Sequence, residues 1–180
     1  MRNGQKELLE LLDKSGAELY TLLTRLTLRE DAAEELMQEL FIKLSNSRGL
    51  AKATNRDAYA RRTAINLAFD WHRAAKRAAL RLDHVGPRAP SDDSPLTKLI
   101  RSEEIRETFN AIGRLRKTSR EALVMRYIQQ QSYDDIAEQM GRTSHQVRAM
   151  CSRALSHLRK LIGSNHRKPA EKEIENVENR

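Results

Sequence analysis

The chain has 180 residues, 39% hydrophobic, 32% charged and 4% aromatic, and 33 lysines and arginines stand against 25 acids, a formal charge of +8. That length serves one domain or two small ones. The longest apolar run, Ala122 to Met125, falls far short of the ~20 residues that span a bilayer, and the single cysteine, Cys151, excludes a disulfide framework or a multi-cysteine zinc site.

Glu7, Glu10 and Asp13 break up the leucines of the first sixteen residues and spoil a signal-peptide core, so a soluble, cytoplasmic protein is expected. Leucine (23) far outnumbers valine (4), and apolar positions recur at three and four rather than two, which predicts an all-α chain. Helical patterns run over about 5–81 and 98–162. Between Asp31 and Leu44 the helical wheel places Ala33, Leu36, Met37, Leu40, Phe41 and Leu44 inward. Asp31, Glu34, Glu35, Gln38 and Glu39 lie opposite, with Ile42 in the middle of them. An apolar residue ringed by acids suits docking to a basic protein surface, although an ordinary solvated face with one stray isoleucine has the same pattern. The polar segment from Ser45 to Asn55 reads as a loop able to hold an unstacked base.

Residues 56–81 reverse the charge, with seven bases against Asp57 and Asp70. Ala60, Ala64, Leu67, Ala68, Trp71, Ala74 and Ala75 are expected to pack inward. Tyr59, Arg62, Asn66, Asp70, Arg73 and Arg77 share an arc of roughly 80° on the other side. Such a stripe offers phosphate neutralisation, base-edge hydrogen bonding and stacking to nucleic acid. Asp70 is expected to orient Arg73 or to bond Asn66.

Pro87, Pro90 and Pro95 crowd into nine residues, so 82–97 is expected to be a linker between domains 1–81 and 98–162. In the second domain, Ser132 to Asp135 has the capping-box pattern of a helix start, Gly141 suits a sharp turn, and Thr143 to Gln146 repeats the capping pattern. Two helices crossing at Ala137, Gly141 and Val147 make a helix-turn-helix. On the second of them, Val147, Met150, Cys151, Ala154, Leu158 and Leu161 face inward. The outer face carries small residues flanked by bases, and no acid occurs from Gln139 to Ala170. Ser144, His145, Gln146, Arg148, Ala149, Ser152 and Arg153 are the residues such a helix brings towards the major groove. A solvated helical hairpin is the alternative. The tail 163–180 carries four bases and four acids and little to bury, and is expected to be disordered.

Nucleic-acid enzymology finds no support: there is no Gly-rich phosphate loop and no His-Glu-x-x-His. His145, Cys151 and His157 stand six apart on different helix faces. A stand-alone helix-turn-helix repressor or activator explains the C-terminal half, but not the second basic stripe or the acidic patch around Ile42.

These segments resemble a known family. Asp31-Ala-Ala-Glu-Glu-Leu-Met-Gln-Glu-Leu-Phe-Ile-Lys-Leu44 resembles the polymerase-clamp-binding helix of bacterial sigma factors. Ala58-Tyr-Ala-Arg-Arg-Thr-Ala-Ile-Asn-Leu-Ala-Phe-Asp-Trp-His-Arg73 resembles their promoter-melting helix, and Ser119-Arg-Glu-Ala-Leu-Val-Met-Arg-Tyr127 with the helix-turn-helix resembles their region 4. The pattern is similar to the extracytoplasmic-function group of the sigma-70 family, which keeps regions 2 and 4 joined by a flexible linker. The resemblance implies two small helical domains, a region 2 bundle and a region 4 helix-turn-helix. It implies core RNA polymerase as partner, through the β′ clamp and β flap, together with promoter DNA and an anti-sigma factor, and it implies no cofactor, metal or catalytic residue. Asp31, Glu35, Gln38 and Ile42 would meet the β′ clamp. Arg62, Asn66, Asp70, Arg73 and Arg77, with the 45–55 loop, would engage the −10 element and its flipped base. His145, Gln146, Arg148, Ala149, Ser152 and Arg153 would read the −35 element. Arg142-Thr143 departs from the apolar-proline pair common in that turn, and Met150, Leu155 and Ser156 stand where members often carry bases.

Overall fold

The computed structural model describes residues 3–81 and 95–166, and among them all regular structure is helical. Most of the expected linker and most of the expected tail fall in 82–94 and 167–180, outside the described residues. No described helix is long and apolar enough to cross a membrane.

Helix α1 (Asn3–Thr27) buries Leu8, Leu11, Leu19, Leu22, Leu23 and Leu26, one stripe at helical spacing. It ends where Leu28 adopts a positive φ of 58° and the Thr27 hydroxyl accepts the Arg29 N–H at 3.3 Å. Helix α2 (Glu30–Ser45) starts on Glu30 and Asp31, carboxylates that suit the positive end of the helix dipole, and it buries Ala32, Ala33, Leu36, Leu40 and Leu44. The segment expected as a loop holds a short helix, α3 (Arg48–Lys52), whose Ser47 cap accepts the Leu50 N–H at 3.1 Å. Helix α4 (Arg56–Arg81) follows and packs on both α1 and α2.

Tyr59 locks α3 to α4. Its hydroxyl lies 2.8 Å from Ser47 Oγ, and a Cβ added at Gly49 would fall 2.6 Å from the same oxygen and 3.0 Å from the ring. Gly49→Ala is therefore expected to displace the tyrosine and cost about 1–3 kcal/mol, as overpacking does. A lowered thermal midpoint checks this, and an unchanged one would show that the ring swings aside freely.

Helix α5 (Pro95–Gly113) begins inside the stretch expected to be linker. A proline is tolerated there because the first N–H groups of a helix have no partner within it. Helices α6 (Lys117–Tyr127), α7 (Tyr133–Met140) and α8 (Ser144–His166) complete the chain, and α8 runs four residues beyond its expected end. Ala122, Met125, Ile136, Ala137, Val147 and Cys151 form a small core within α6, α7 and α8.

The two halves touch. α5 and α6 pack against α4, and the leucine core of α1, α2 and α4 continues without a break into Phe109, Ile112, Leu115, Leu123 and Val124. This alters the expected faces of α4. Ile65 and Phe69 are buried, Trp71 is half-buried, and Ala74 and Ala75, expected inside, are exposed. A single-face wheel assumes one packing partner, whereas α4 has helices on two sides. Phe41, also expected inside, is 43% exposed, because it lies one 100° step beyond the stripe of α2 that α1 and α4 cover. Burying an aromatic or branched aliphatic side chain contributes about 1.5–3 kcal/mol, against about 0–1 kcal/mol for an exposed ion pair. Apolar contact therefore holds α5 and α6 on α4, and the polar contacts orient them.

Candidate nucleic-acid and polymerase interfaces

The α7–α8 unit is built by its caps. Ser132 Oγ accepts the Asp135 N–H at 3.1 Å while the Asp135 carboxylate accepts the Ser132 N–H at 3.3 Å. Gly141, at φ 61°, ends α7 in the left-handed conformation and lets the Arg142 N–H return to the Ala137 carbonyl at 2.9 Å. Thr143 and Gln146 then form a second reciprocal cap, at 3.2 and 3.1 Å. Val147, at 0% exposure, plugs the crossing beside Ala137.

The caps divide the residues expected to read DNA. The Gln146 side chain is tied to Thr143, and the Ser144 hydroxyl donates to Asp134 on α7. His145, Arg148, Ser152 and Arg153 lie exposed along α8, and Ala149 is half-buried between them. The Arg148 guanidinium stands 5.0 Å from the centre of the Tyr133 ring, and Arg153 donates to the Ala149 carbonyl at 3.2 Å.

On α4 the expected stripe is present, and much of it is already engaged. Arg62 Nε donates to both carboxylate oxygens of Glu121 at 3.0 Å, and Asn66 Oδ1 accepts from Arg120 Nη2 at 2.7 Å. Asp70 pairs with Arg73, the first of its two expected partners. Arg73 and Arg77 are exposed, and Tyr59 is half-buried against Ser47 and Gly49. On the flank, Arg61 pairs with Glu18 at 3.8 Å and donates to Gln139 of α7.

Arg120 and Glu121 are the functional neighbours that the helical wheel misses. Both are buried, at 2% and 5% exposure, at the head of six consecutive buried residues in α6. The signal available in the sequence is the apolar run Ala122 to Met125, since a helix apolar on every side draws the charges at its head towards the interior. Arg120 also donates to the Gly113 carbonyl at 3.3 Å and lies 4.8 Å over the Phe69 ring. Burial pushes the Glu121 pKa up, with the Arg62 hydrogen bond, Arg61 and Arg120 opposing it. Desolvation of the carboxylate thus outweighs what its arginines return.

His72 sits at the same junction. Its Nε2 is 2.7 Å from the Leu26 carbonyl, and its ring stacks on Phe109 of α5 at 4.8 Å and 11°. Burial lowers its pKa from 6.5, and the bond to Leu26 opposes that shift. The packed neutral ring therefore contributes fully above 6.5, and that contribution falls away as the pH drops towards the depressed value. As the pH falls below about 6.5, His72→Gln is expected to flatten part of the fall in thermal midpoint. Parallel curves for the two proteins would remove His72 from the pH response.

On α2, Asp31, Glu34, Glu35, Gln38 and Glu39 are all exposed, with Ile42 at 58% and Phe41 beside it. Arg29 pairs with Asp31 and lowers its pKa, and Lys43 pairs with Glu39 at 2.9 Å. Glu34, Glu35 and Gln38 remain as an open acidic surface along two apolar side chains.

Comparison with known proteins falls on the same helices. The family model described as sigma-70 region 2 matches residues 11–78, and that described as sigma-70, region 4 matches residues 106–158. No curated protein matches the chain. A solved co-crystal structure of the sigma factor RpoE in complex with the anti-sigma factor NepR from Bartonella quintana is similar at 22% identity. That match covers 91% of this chain and 98% of that chain at a TM-score of 0.45, a likeness too loose to transfer function. The two family models together take in more than half of the chain, and they hold α2 and α4 in one match and α6 to α8 in the other. With a region 2 and a region 4 in order, the chain belongs to the sigma-70 family, the factors that direct bacterial core RNA polymerase to promoter DNA.

Proposed function

We propose that the chain works as a promoter-specificity sigma factor of the extracytoplasmic-function type through three surfaces. α2 docks on the β′ clamp with Asp31, Glu34, Glu35, Gln38, Glu39 and Ile42, to which Phe41 is added. α4 engages the −10 element with Arg62, Asn66, Arg73 and Arg77. α8 reads the −35 element with His145, Arg148, Ala149, Ser152 and Arg153, while Ser144 and Gln146 hold the start of the helix. Residues 1–81 and 98–162 are the two working units, joined by 82–97. The observation that carries this reading is that the two exposed sets of arginines, Arg62, Arg73 and Arg77 on α4 and Arg148 and Arg153 on α8, fall one in each family match. A repressor reading accounts only for the second.

Asp70 serves by orienting Arg73, and Tyr59 by bracing α3. Strand opening then needs no covalent chemistry, since capture of unstacked bases shifts the duplex equilibrium. The protein is accordingly read as a non-enzymatic, cytoplasmic factor that uses no metal or cofactor. Glu121 takes the Nε of Arg62 and Arg120 takes the Oδ1 of Asn66, so full engagement of the −10 element by both side chains calls for α6 to leave α4. An anti-sigma factor that holds this contact shut would silence the protein.

The test is transcription by core polymerase on sheared genomic DNA with the protein added, with the 5′ ends mapped. Discrete new starts sharing a two-part upstream motif are expected. Transcription unchanged from core alone, with specific duplex binding retained, would turn the reading towards a repressor. On a promoter found this way, Asn66→Ala is expected to impair opening more than duplex binding, read by permanganate reactivity of the bubble.

A further inference from the structure

We infer that Tyr133 is the residue that positions Arg148 for sequence reading, a step that rests on α8 being the DNA-reading helix. Tyr133 is the first residue of α7 and is half-buried, packed along one side on the small core of Ala122, Met125, Ile136, Ala137, Val147 and Cys151. Two guanidinium groups approach its ring, Arg126 at 4.6 Å from the centre and Arg148 at 5.0 Å. Arg126 is itself held, since it donates to the Gln131 carbonyl at 2.8 Å. A chain of contacts thus runs from the turn after α6 through Arg126 and the tyrosine ring to Arg148 on α8.

The two arginines differ in a way that gives the ring its role. Arg126 is half-buried and anchored, whereas Arg148 is exposed and, among the described residues, makes no ion pair. A long cationic side chain in water samples many rotamers, and fixing it against a base loses that freedom at the moment of binding. The face of an aromatic ring attracts a guanidinium without consuming its N–H donors, so Arg148 is restrained while its hydrogen-bonding fork stays open to a guanine edge. Such restraint made before binding lowers the ordering cost of the contact. It acts on the one base position that Arg148 reads and leaves phosphate contacts elsewhere untouched.

The experiment uses polymerase reconstituted with the full chain and a promoter library randomised across the upstream element, with bound DNA sequenced. Wild type and Tyr133→Phe, which keeps the ring, are expected to share one sharp preference. Tyr133→Leu keeps apolar packing but has no π face. It is expected to lower the preference about tenfold at the same single position that Arg148→Ala flattens, as a preorganised contact predicts. The double variant Tyr133→Leu with Arg148→Ala should be no flatter there than Arg148→Ala.

If Tyr133→Leu leaves intact a preference that Arg148→Ala destroys, or weakens all sequences equally, the positioning role is overturned and the reading of α8 stands. If neither variant changes any base preference, Arg148 is no reader and the positioning role falls with it. A second measurement needs no variant. In wild-type protein, NMR relaxation of the Arg148 side-chain Nε–H should show it more ordered than that of Arg159, which is exposed on the same helix. Equal mobility overturns the restraint whatever the fate of the leucine variant.

Discussion

Glu121→Lys is expected to raise the affinity of the free protein for a single-stranded oligonucleotide carrying its −10 element by about tenfold or more. The carboxylate is 6% exposed and faces Arg62, Arg61 and Arg120. A lysine there sets a buried cation against Arg61, Arg62 and Arg120 with no carboxylate left between them, and α6 should leave α4. A site occupied by its own chain binds with an apparent affinity reduced by the fraction that is open, so opening it returns that factor. Glu121→Gln should do far less. Burial raises the Glu121 pKa, so removing the charge relieves more desolvation than it forfeits in pairing with the arginines.

The added positive charge could itself attract DNA, and the background Asn66→Ala separates the two causes. Gain through a freed Asn66 disappears in that background, whereas gain through charge alone survives it. Equal binding by wild type and Glu121→Lys would mean that the α4–α6 contact does not limit access. Each half keeps apolar packing of its own, the leucines of α1, α2 and α4 on one side and Ala122, Met125, Ile136, Ala137, Val147 and Cys151 on the other. A lysine repulsive enough to overcome the burial of Phe69, Phe109 and Ile112 is therefore expected to separate the halves without melting either one. An increase in hydrodynamic radius with unchanged helical circular dichroism checks this.

The second large effect is expected at polymerase. Ile42→Arg should weaken binding to the core enzyme by about 30-fold or more, the scale of an interface hot spot that costs about 2 kcal/mol. The side chain is 58% exposed among carboxylates, so it contributes little to the fold, and the arginine would bring a cation to a surface shaped for a basic partner. Phe41→Ser should act in the same direction, since Phe41 is exposed beside it. Binding of single-stranded −10 DNA should be untouched by either change. Full polymerase affinity in both variants would make the acidic face of α2 ordinary solvated surface.

What was legible in the sequence was local. The caps of α7 and α8 follow from Ser132, Asp135, Gly141, Thr143 and Gln146, because each cap is decided within four residues of chain. The inward face of α8 was legible as well: Val147, Cys151, Ala154 and Leu158 are all buried, the first two in the small core and the last two in the leucine core. Of the stripe expected on α4, Arg62, Asp70, Arg73 and Arg77 are exposed while Tyr59 and Asn66 are half-buried, and Asp70 has Arg73 as its neighbour one turn away. The same local rules failed where a helix has partners on two sides. Ile65 and Phe69 were not expected in the core, Ala74 and Ala75 were, and Phe41 was assigned to the wrong side of its boundary.

The sequence by itself thus determined the all-helical class, the helix-turn-helix, the charge of each surface and the family. All of these depend on spacing over one or two turns of helix. Only the tertiary structure decided that α6 lies on α4, that Arg120 and Glu121 are buried, and that these two hold Asn66 and Arg62. Those contacts join residues more than fifty positions apart, and no periodicity within either helix encodes them. They arise because two separately amphipathic halves each leave apolar surface uncovered, and burying it together brings their charged edges into register.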